Sequence, residues 1–429
     1  FFGILGYMKN YISNLTQTIR VGSFLGIRQL RRANIWTTLL IIFIMMLTFL
    51  NMVVISGILV GLIDGGNIAN KNQYTGNVIM TKLSGNPNIE NTGNILATLA
   101  NISGVTQYSA RYASGAQFEA NYTSRRDFNT DRDTAGSQVL GIDINVEDNL
   151  TNLSESIIEG SYLDERESGY ILIGSTLLRR FSSQFGDGFS SLDGVYPGDR
   201  IKVTANGKTK EFIVKGIVKS KVGEVSFRAF ITKQDFLQFV ERPSLNADEI
   251  AIATDGSITD DVLKNTLSQY GFDRFAKIQT ATEAIPDFLN QIKIAFSLLG
   301  NVIGFVGIVV ASITIFIVVF INAVTRRKFI GILKGIGVSS GAIEFAYVLQ
   351  SFVYAVIGSG LGLIIIYTLL VPFFNAHPLN FPFSDGILSA PLSGTLIRLG
   401  LLLIVTLLAG YIPARMIVKK NTLDSILGR

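Results

Sequence analysis

The sequence predicts a membrane protein with four transmembrane helices and an α+β extracytoplasmic domain inserted between the first and second helices. Two observations carry this prediction. Only 16% of the 429 residues are charged, compared with about 25% in an average soluble protein, and 48% are hydrophobic. The hydrophobic residues also lie in long uncharged runs at the two ends of the chain, whereas residues 64–285 are polar.

The first predicted element is a basic amphipathic helix in residues 1–34, where apolar residues such as Phe24 and Ile27 alternate with arginines such as Arg28. This pattern is typical of a helix at the cytoplasmic membrane surface, and a frayed leader is the alternative. Residues 35–63 carry no charge and exceed the ~20 residues that cross a bilayer. They therefore predict transmembrane helix 1, with the N-terminus in the cytoplasm because arginines precede it.

Residues 64–285 are predicted to form an extracytoplasmic domain in which short strands and helices are intermixed. Strands are predicted at 77–82, 104–112, 138–144, 170–174, 200–205, 210–218, 227–232 and 249–254, and helices at 89–102, 175–185, 233–240 and 259–270. Asn206 and Gly207 predict a hairpin turn, because both residues tolerate positive φ. The polar stretch 114–138 predicts a long loop or a hairpin tip.

The C-terminal part of the chain predicts three further transmembrane helices and their connections. The helices are predicted at 293–324, 342–371 and 396–412, with a basic connection at 325–341, a loop without Lys or Arg at 372–391 and a tail at 413–429. By the positive-inside rule, the connection, the tail and both termini are cytoplasmic. Small residues that allow close helix packing are Gly300, Gly304, Gly307, Gly358 and Gly362.

Charge is distributed unevenly between these parts. Residues 64–283 carry 28 acidic and 22 basic residues, whereas the remainder carries 15 basic and 4 acidic residues. The basic parts flank the predicted spans, which indicates membrane topology and contact with the anionic lipid of the bilayer. A nucleic-acid partner is not expected, because the polar domain lacks clustered cations with interleaved aromatic residues.

No residue pattern predicts catalysis or a metal site, so the chain is not expected to be an enzyme. It has no cysteine and one histidine, His377, which argues against a multi-histidine metal site and a serine–histidine–acid triad. Residues 206–209 (NGKT) end like a phosphate-binding loop, but Lys202 stands where that loop needs glycine. Residues 127–133 have aspartates at calcium-loop spacing but lack the required Gly and Glu, which predicts a solvated loop.

The basic connection carries the strongest resemblance to a known family. Its segment Arg326–Gly337 (RRKFIGILKGIG) resembles the RRxEIGILKAIG segment of ABC transporter permeases of the MacB/FtsX class, which includes the lipoprotein-releasing permeases. Gln350-Ser351 and Pro413-Ala414 match further family positions, and the order of one span, a large MacB-like domain and three spans is a family hallmark. Phe329 and Gln350 depart from the family pattern, which has glutamate at both positions.

The resemblance implies that the chain is one of two permease copies, in a homodimer or heterodimer, in the bacterial cytoplasmic (inner) membrane. Two copies of a separate cytoplasmic ATP-binding subunit would hold ATP and Mg, so no cofactor is expected in this chain. The basic connection would be the coupling helix that contacts those subunits. The residues implied in that contact are Arg326, Arg327, Lys328, Ile330, Gly331, Ile332, Leu333, Lys334, Gly337 and Val338.

The family also implies mechanotransmission, in which ATP hydrolysis in the partner moves the extracytoplasmic domain. The expected function is export or extraction of a peptide, an amphiphile or a lipid-linked substrate. One alternative is an FtsX-like signalling permease that activates an extracytoplasmic cell-wall hydrolase without transport, which would need an extracytoplasmic partner protein. A membrane-anchored sensor without an ATPase is a further alternative, and the coupling-like connection argues against it.

Overall fold

The computed structural model describes residues 2–122, 132–182, 190–242, 244–285, 287–381, 383–386 and 388–419. The calcium-like spacing at 127–131 and the last residues of the predicted tail, 420–429, lie outside these described residues. The chain divides into two compact units. A helical unit comprises Phe1–Leu62, Gln291–Leu379 and Gly386–Arg429, and a sheet unit comprises Ile63–Asn290 and Asn380–Asp385.

Helices occur in both units. They are α1 (Phe2–Arg31), α2 (Ile35–Asn70), α3 (Thr92–Leu99), α4 (Ile144–Thr151), α5 (Arg179–Ser182), α6 (Gly223–Ser226), α7 (Lys233–Val240), α8 (Asp260–Gln269), α9 (Asp287–Thr325), α10 (Arg327–Gly335), α11 (Ser340–Ile365), α12 (Val371–Ala376) and α13 (Leu392–Val418). Among the described helices, α2, α9, α11 and α13 are long and apolar enough to cross a membrane. The predicted fold class, with four such helices and an α+β domain after the first, is confirmed.

Several helices extend beyond their predicted ends. Helix α2 continues to Asn70, followed by a π-helical turn at Lys71–Thr75, because residues 64–69 contain no proline that would stop a helix. The helical run that begins with α11 continues through a second π-helical turn and α12 to Ala376. Pro372 is the second residue of α12 and directly follows the π-helical turn, and the helical run continues past it.

The strands form one large mixed sheet and one small hairpin. They are β1 (Val78–Lys82), β2 (Val105–Glu119), β3 (Thr134–Ile142), β4 (Ile157–Gly160), β5 (Tyr170–Gly174), β6 (Arg200–Ala205), β7 (Lys208–Val218), β8 (Arg228–Thr232), β9 (Glu249–Thr254), β10 (Ala276–Thr280), β11 (Leu379–Phe381) and β12 (Ser384–Gly386). In the described residues, the large sheet has the order β10-β1-β9-β2-β3-β8-β5-β7-β4, and β6 pairs with β2 and β7. The last two strands pair with each other, inside the predicted loop 372–391.

The stretch 114–138 was predicted as a long loop or a hairpin tip, and it belongs to a hairpin whose strands β2 and β3 extend further into the stretch than predicted. Strands β2 and β3 pair antiparallel from Tyr112 opposite Gly141 to Glu119 opposite Thr134. Phe118 and Ala135 are opposite each other and fully buried, while intervening polar residues face outward. Because one face of these strands is polar, the stretch looks like a loop in the sequence. The predicted hairpin turn at Asn206 and Gly207 is confirmed, with both residues at positive φ between β6 and β7.

The two chain segments that join the sheet unit to long helices meet on neighbouring strands. Strand β1 follows α2 and its π-helical turn, and β10 precedes α9. These strands are antiparallel, with Val78 opposite Thr280. The side-chain amide of Asn70 also donates a 3.0 Å hydrogen bond to the carbonyl oxygen of Ala281. Strand β10 was not predicted from the sequence, and its pairing with β1 makes the entrance and exit of the sheet unit adjacent.

Candidate functional site

The basic connection between α9 and α11 folds as the short helix α10. It ends in a turn where Gly337 has a φ of +92°, which favours glycine. The N–H groups of Gly337 and Val338 donate to the carbonyl oxygens of Lys334 and Leu333 at 3.1 and 3.0 Å. Ser339 then caps the start of α11 by accepting from the N–H of Ala342. The turn therefore fixes α10 closely against the beginning of α11.

Helix α10 has one face in the core of the helical unit and one face in solvent. Ile330 and Leu333 are only 1% and 9% exposed, and they belong to the same buried cluster as Ile417 and Val418. Residues three apart share a helix face, so the two side chains anchor α10 to its own chain. Ile330, Gly331 and Leu333, three of the residues expected to contact a partner, are thus buried within this chain.

The exposed apolar surface of α10 consists of Phe329, Ile332 and Ile336. They are 50%, 53% and 73% exposed, and their spacing of three and four residues places them on one side of the helix. Of the expected contacts, Ile332 is therefore accessible, while Val338 is half-buried and packs against the core. We call Phe329, Ile332 and Ile336 the exposed α10 face.

The cations of the connection are not equivalent. Lys334 donates a 3.0 Å hydrogen bond from Nζ to the carbonyl oxygen of Val418, the last residue of α13. A cation is favoured at this helix end, where carbonyl groups carry partial negative charge. Lys328 is exposed, and Arg326 and Arg327 are half-buried. Lys334 therefore holds α10 to α13, and Lys328 presents its charge beside the exposed α10 face.

The glycines expected to pack transmembrane helices all contact α2, but with different closeness. A Cβ atom at Gly358 would lie 2.6 Å from Cβ of Met45, and one at Gly362 would lie 2.7 Å from Cδ1 of Phe49. No side chain fits at these two positions without displacement, so α11 approaches α2 closely there. A Cβ atom added at each of the three glycines of α9 would have its nearest contact with α2 at an ordinary 3.4–3.7 Å.

A further pair of glycines was missed in the sequence. Gly22 and Gly26 of α1 face α11, where added Cβ atoms would lie 2.7 and 3.1 Å from the carbonyl oxygens of Ala342 and Ala346. Their spacing of four residues is the small-xxx-small pattern that marks close helix contact, and this signal was available. The N-terminal helix therefore packs along the first turns of α11 as well as presenting an apolar surface outward.

Gln350, one of the two departures from the family pattern, is buried in α11. Its Nε2 donates a 2.6 Å hydrogen bond to the hydroxyl oxygen of Tyr354, one helical turn further on. A buried amide is thereby satisfied within its own helix. The substitution of a neutral amide for a carboxylate leaves no charge to be paired at this depth.

A buried ionic cluster lies where the π-helical turn after α2 enters the sheet unit. Arg111 donates to both carboxylate oxygens of Glu147 at 3.0 and 2.7 Å, and to the carbonyl oxygen of Tyr74 at 2.6 Å. Arg228 donates to both oxygens of Glu249 at 3.1 and 2.8 Å. The Tyr74 hydroxyl donates to Glu249 at 3.2 Å. Tyr74 is therefore held by two arginine–carboxylate pairs.

The charged state of Glu249 is stabilised within this cluster. Burial alone would raise the pKa of its carboxyl group, because the charged form loses hydration. The guanidinium groups of Arg228 and Arg111 outweigh this effect and hold the pKa of Glu249 below its ordinary value. The carboxylate of Glu249 is thus held in its charged form beside the two arginines.

A second connection in the sheet unit involves Lys221. Its Nζ donates to Oδ1 of Asn380 at 2.5 Å and to the carbonyl oxygen of Phe381 at 2.9 Å, and it pairs with Asp385 at 3.0 Å. A Cβ atom at Gly65 would also collide with the backbone of Asp385. The segment 380–385, which joins α12 to α13, is therefore held within the sheet unit.

The described residues contain no group of three or more His, Asp or Glu side chains placed to hold a metal ion. The site therefore consists of a surface on α10, a set of close helix contacts around α2 and two polar connections in the sheet unit.

Comparison with known proteins defines the class. Residues 301–422, which contain α10, α11, α12 and α13, match the profile of the FtsX-like permease C-terminal family. This part of the chain is an FtsX-like permease domain, and the predicted family is confirmed.

Particular relatives agree with that class. The chain is 26% identical over 238 residues to the ABC transporter permease YtrF of Bacillus subtilis strain 168, an alignment that covers 51% of this chain and 52% of that protein. The chain thus spans about half the length of this curated relative.

Two solved structures are similar to the chain. The periplasmic region of MacB from Actinobacillus actinomycetemcomitans shares 13% identity, with a TM-score of 0.34, over 52% of this chain and 94% of that structure. The extracellular domain of the noncanonic ABC-type transporter YknZ from Gram-positive bacteria shares 14% identity, with a TM-score of 0.31, over 48% and 99%.

Proposed function

We propose that the chain is the transmembrane subunit of an ABC transporter that works with a separate cytoplasmic ATP-binding subunit. The observation that carries this proposal is the exposed α10 face within the segment that matches the FtsX-like permease family. Three exposed apolar side chains on a basic helix need a covering partner, because such a surface is unfavourable in water. The chain itself carries out no catalysis in this proposal.

The partner surface is proposed to be the exposed α10 face together with Lys328. Two copies of the ATP-binding subunit would bind two permease copies, and ATP and Mg would be held by those subunits. Ile330, Leu333 and Lys334 would have a different task, because they fix α10 to its own helical unit. A force on the exposed α10 face would then move the attached helices rather than bend the connection.

Helices α2 and α9 are the proposed transmitters of this movement. Helix α2 runs without interruption from Ile35 to Asn70, and its continuation reaches the buried cluster at Tyr74. Helix α9 starts after β10, the neighbour of β1. Both helices therefore join the sheet unit at adjacent strands, so a displacement of either is delivered to one edge of the sheet. This supports mechanotransmission, with export of a peptide, amphiphile or lipid-linked substrate as the proposed use.

The test is permease-stimulated ATP hydrolysis after co-purification with the ATP-binding subunit. We expect Ile332→Asp to reduce stimulation about tenfold, because a carboxylate would enter an apolar contact. Leu245→Asp is the matched control, since Leu245 is an exposed apolar residue of the sheet unit. Full stimulation by Ile332→Asp would exclude the proposed surface, and absence of any ATPase in the native complex would exclude the transporter class and favour a sensor.

Transport and signalling are separated by a second experiment. The proposed function predicts ATP-dependent uptake of substrate into inside-out vesicles, which corresponds to export from the cell. An FtsX-like signalling permease would instead bind and activate a cell-wall hydrolase through the sheet unit. A hydrolase recovered on the sheet unit, without ATP-dependent export, would replace the transport proposal.

The proposed membrane orientation places both termini and α10 in the cytoplasm. The chain contains no cysteine, so single cysteines can be introduced without background labelling. In intact cells, a membrane-impermeant maleimide should label Ser257→Cys, which lies in an exposed loop of the sheet unit, and should not label Lys328→Cys. The opposite labelling pattern would reverse the orientation.

A further inference from the structure

Arg398 is a charged side chain inside the spanning helix α13, and it has no role in the proposed coupling. Arg398 is the seventh residue of α13, and its Nη2 donates a 2.5 Å hydrogen bond to the hydroxyl oxygen of Ser56. Ser56 is buried on α2. Arginine within a membrane helix is costly unless its charge is paired, so such a residue marks a site by default.

The charge of Arg398 has no counterpart among the described residues. None of the ion pairs in the described part of the chain includes Arg398. A guanidinium group carries five N–H donors, and the bond to Ser56 uses one of them. The remaining donors and the full positive charge are therefore available to an anion from outside the chain.

The guanidinium group is directed toward the end of the helix bundle. Its Nη1 lies 3.4 Å from the position of a Cβ atom at Gly394, one turn nearer to the start of α13. At the same level, the N–H of Ser389 donates a 3.1 Å hydrogen bond to the carbonyl oxygen of Gly57, the residue after Ser56. The chain thus enters the bundle beside Ser56, which places Arg398 at the depth of lipid headgroups rather than at the bilayer centre.

The surroundings of Arg398 indicate a ligand from the membrane. Its neighbours Leu396 and Ile397 are exposed apolar residues, as is Leu401 one turn further on, and such a surface on a spanning helix faces lipid. Tyr367 lies close by, with its hydroxyl 3.2 Å from Oγ1 of Thr395. These surroundings fit an amphiphile. Its acyl chains would lie along the exposed apolar side chains of α13, and its anionic group would contact the guanidinium of Arg398.

We propose that Arg398 and Ser56 bind the phosphate group of an anionic membrane amphiphile. The planar guanidinium matches two phosphate oxygens, and a phosphate is the anion that the headgroup layer supplies. The Ser56 oxygen accepts from Arg398, which leaves its own proton free to donate to the same phosphate. The leaflet depends on the proposed orientation of the chain, but the binding site itself does not.

The experiment titrates the purified full-length chain in mild detergent with phosphatidylglycerol and measures bound lipid by native mass spectrometry. Arg398→Gln should weaken binding of the tightest lipid about tenfold, the loss expected for one charge-assisted contact. Arg398→Lys keeps the positive charge but lacks the planar guanidinium, so it should weaken lipid binding by an intermediate amount. Ser56→Ala should also weaken lipid binding by an intermediate amount. Arg166→Gln is the matched control, because Arg166 is an exposed arginine of the sheet unit, and it should bind phosphatidylglycerol as the wild type does.

Two further probes identify the recognised group and its source. Diacylglycerol, which lacks phosphate, should show no difference between wild type and Arg398→Gln. Inorganic phosphate should not displace the lipid at millimolar concentration, and displacement would assign the site to a soluble anion. Equal phosphatidylglycerol binding by wild type and Arg398→Gln, with equal thermal stability, would overturn the proposal. No ATP-binding subunit is needed, so this outcome is independent of the ATPase test.

Discussion

Arg111 donates a 2.6 Å hydrogen bond to the carbonyl oxygen of Tyr74, in the turn that carries the chain from α2 into the sheet unit. The guanidinium of Arg111 also lies 5.0 Å from the centre of the Tyr74 ring. Arg228 approaches the same ring, at 5.4 Å. Two cations and their carboxylates thus fix both the backbone and the ring of one residue. In the proposed mechanotransmission, Tyr74 is the residue through which a displacement of α2 would reach the sheet.

The first prediction concerns the stability contributed by this cluster. Arg111→Gln should lower the free energy of unfolding by about 3–5 kcal/mol, because it leaves the buried carboxylate of Glu147 without its partner. Thermal unfolding of the full-length chain in detergent is the measurement. The control is Arg179→Gln, which removes the exposed pair with Asp193 and should change stability by less than ~1 kcal/mol. A similar decrease in the free energy of unfolding for both variants would show that the buried cluster does not stabilise the fold more than an exposed ion pair does.

The second prediction is a loss of stability in acid. The pKa of Glu249 in the folded chain lies below its ordinary value, so its ionised form stabilises the fold above the unfolded-state pKa of about 4.3. That contribution disappears as the pH falls from this value through the lower folded-state pKa. Glu249→Gln should therefore be less stable than wild type at pH 7, and the difference should narrow in acid.

Melting temperatures measured from about pH 7 to pH 3 test whether the stability difference narrows in acid. Stability depends on pH only where the folded and unfolded states bind different numbers of protons. Glu165→Gln is the control, because Glu165 is exposed. Melting curves of wild type and Glu249→Gln that stay parallel over the whole range would contradict the assigned role of Glu249.

The third prediction distinguishes the two sets of glycines around α2. Gly358→Val should destabilise the helical unit by about 1–3 kcal/mol, because its side chain would enter space held by Met45 and the carbonyl oxygen of Ile42. Gly304→Ala should be tolerated, because an added Cβ atom there would lie at an ordinary 3.7 Å from Met52. Thermal stability in detergent measures both. If Gly358→Val and the wild type have the same melting temperature, α11 does not approach α2 as closely as described.

Composition and hydrophobic runs were sufficient to predict the four spans and the position of the α+β domain. They could not predict which face of α10 is buried, because Ile330 and Ile332 are equally apolar and only the packing against α13 separates them. Strands β2 and β3 were predicted in part, and their extensions at 113–119 and 134–137 were missed because one face of each strand is polar. The cluster around Tyr74 joins residues that are far apart in the chain, so no local sequence pattern predicts it.

The last prediction concerns the hold of Lys221 on the segment between α12 and α13. Ser384 is fully buried in the sheet unit, so a cysteine introduced there should react slowly with maleimide. Lys221→Met removes the bonds to Asn380 and Phe381 and the ion pair with Asp385, and it keeps an unbranched side chain of similar length. Labelling of Ser384→Cys should then accelerate about tenfold, which corresponds to about 1.4 kcal/mol of lost closure free energy.

Two controls make this result specific to the segment. Ser257→Cys lies in an exposed loop and should react at the same fast rate with and without the Lys221→Met substitution. Lys219→Met removes a neighbouring exposed lysine and should leave the labelling of Ser384→Cys unchanged. Unchanged labelling in Lys221→Met would mean that the close approach of the segment to Gly65, rather than Lys221, holds it in place. Faster labelling would show that a single lysine ties the connection between two membrane helices to the domain that α2 and α9 are proposed to move.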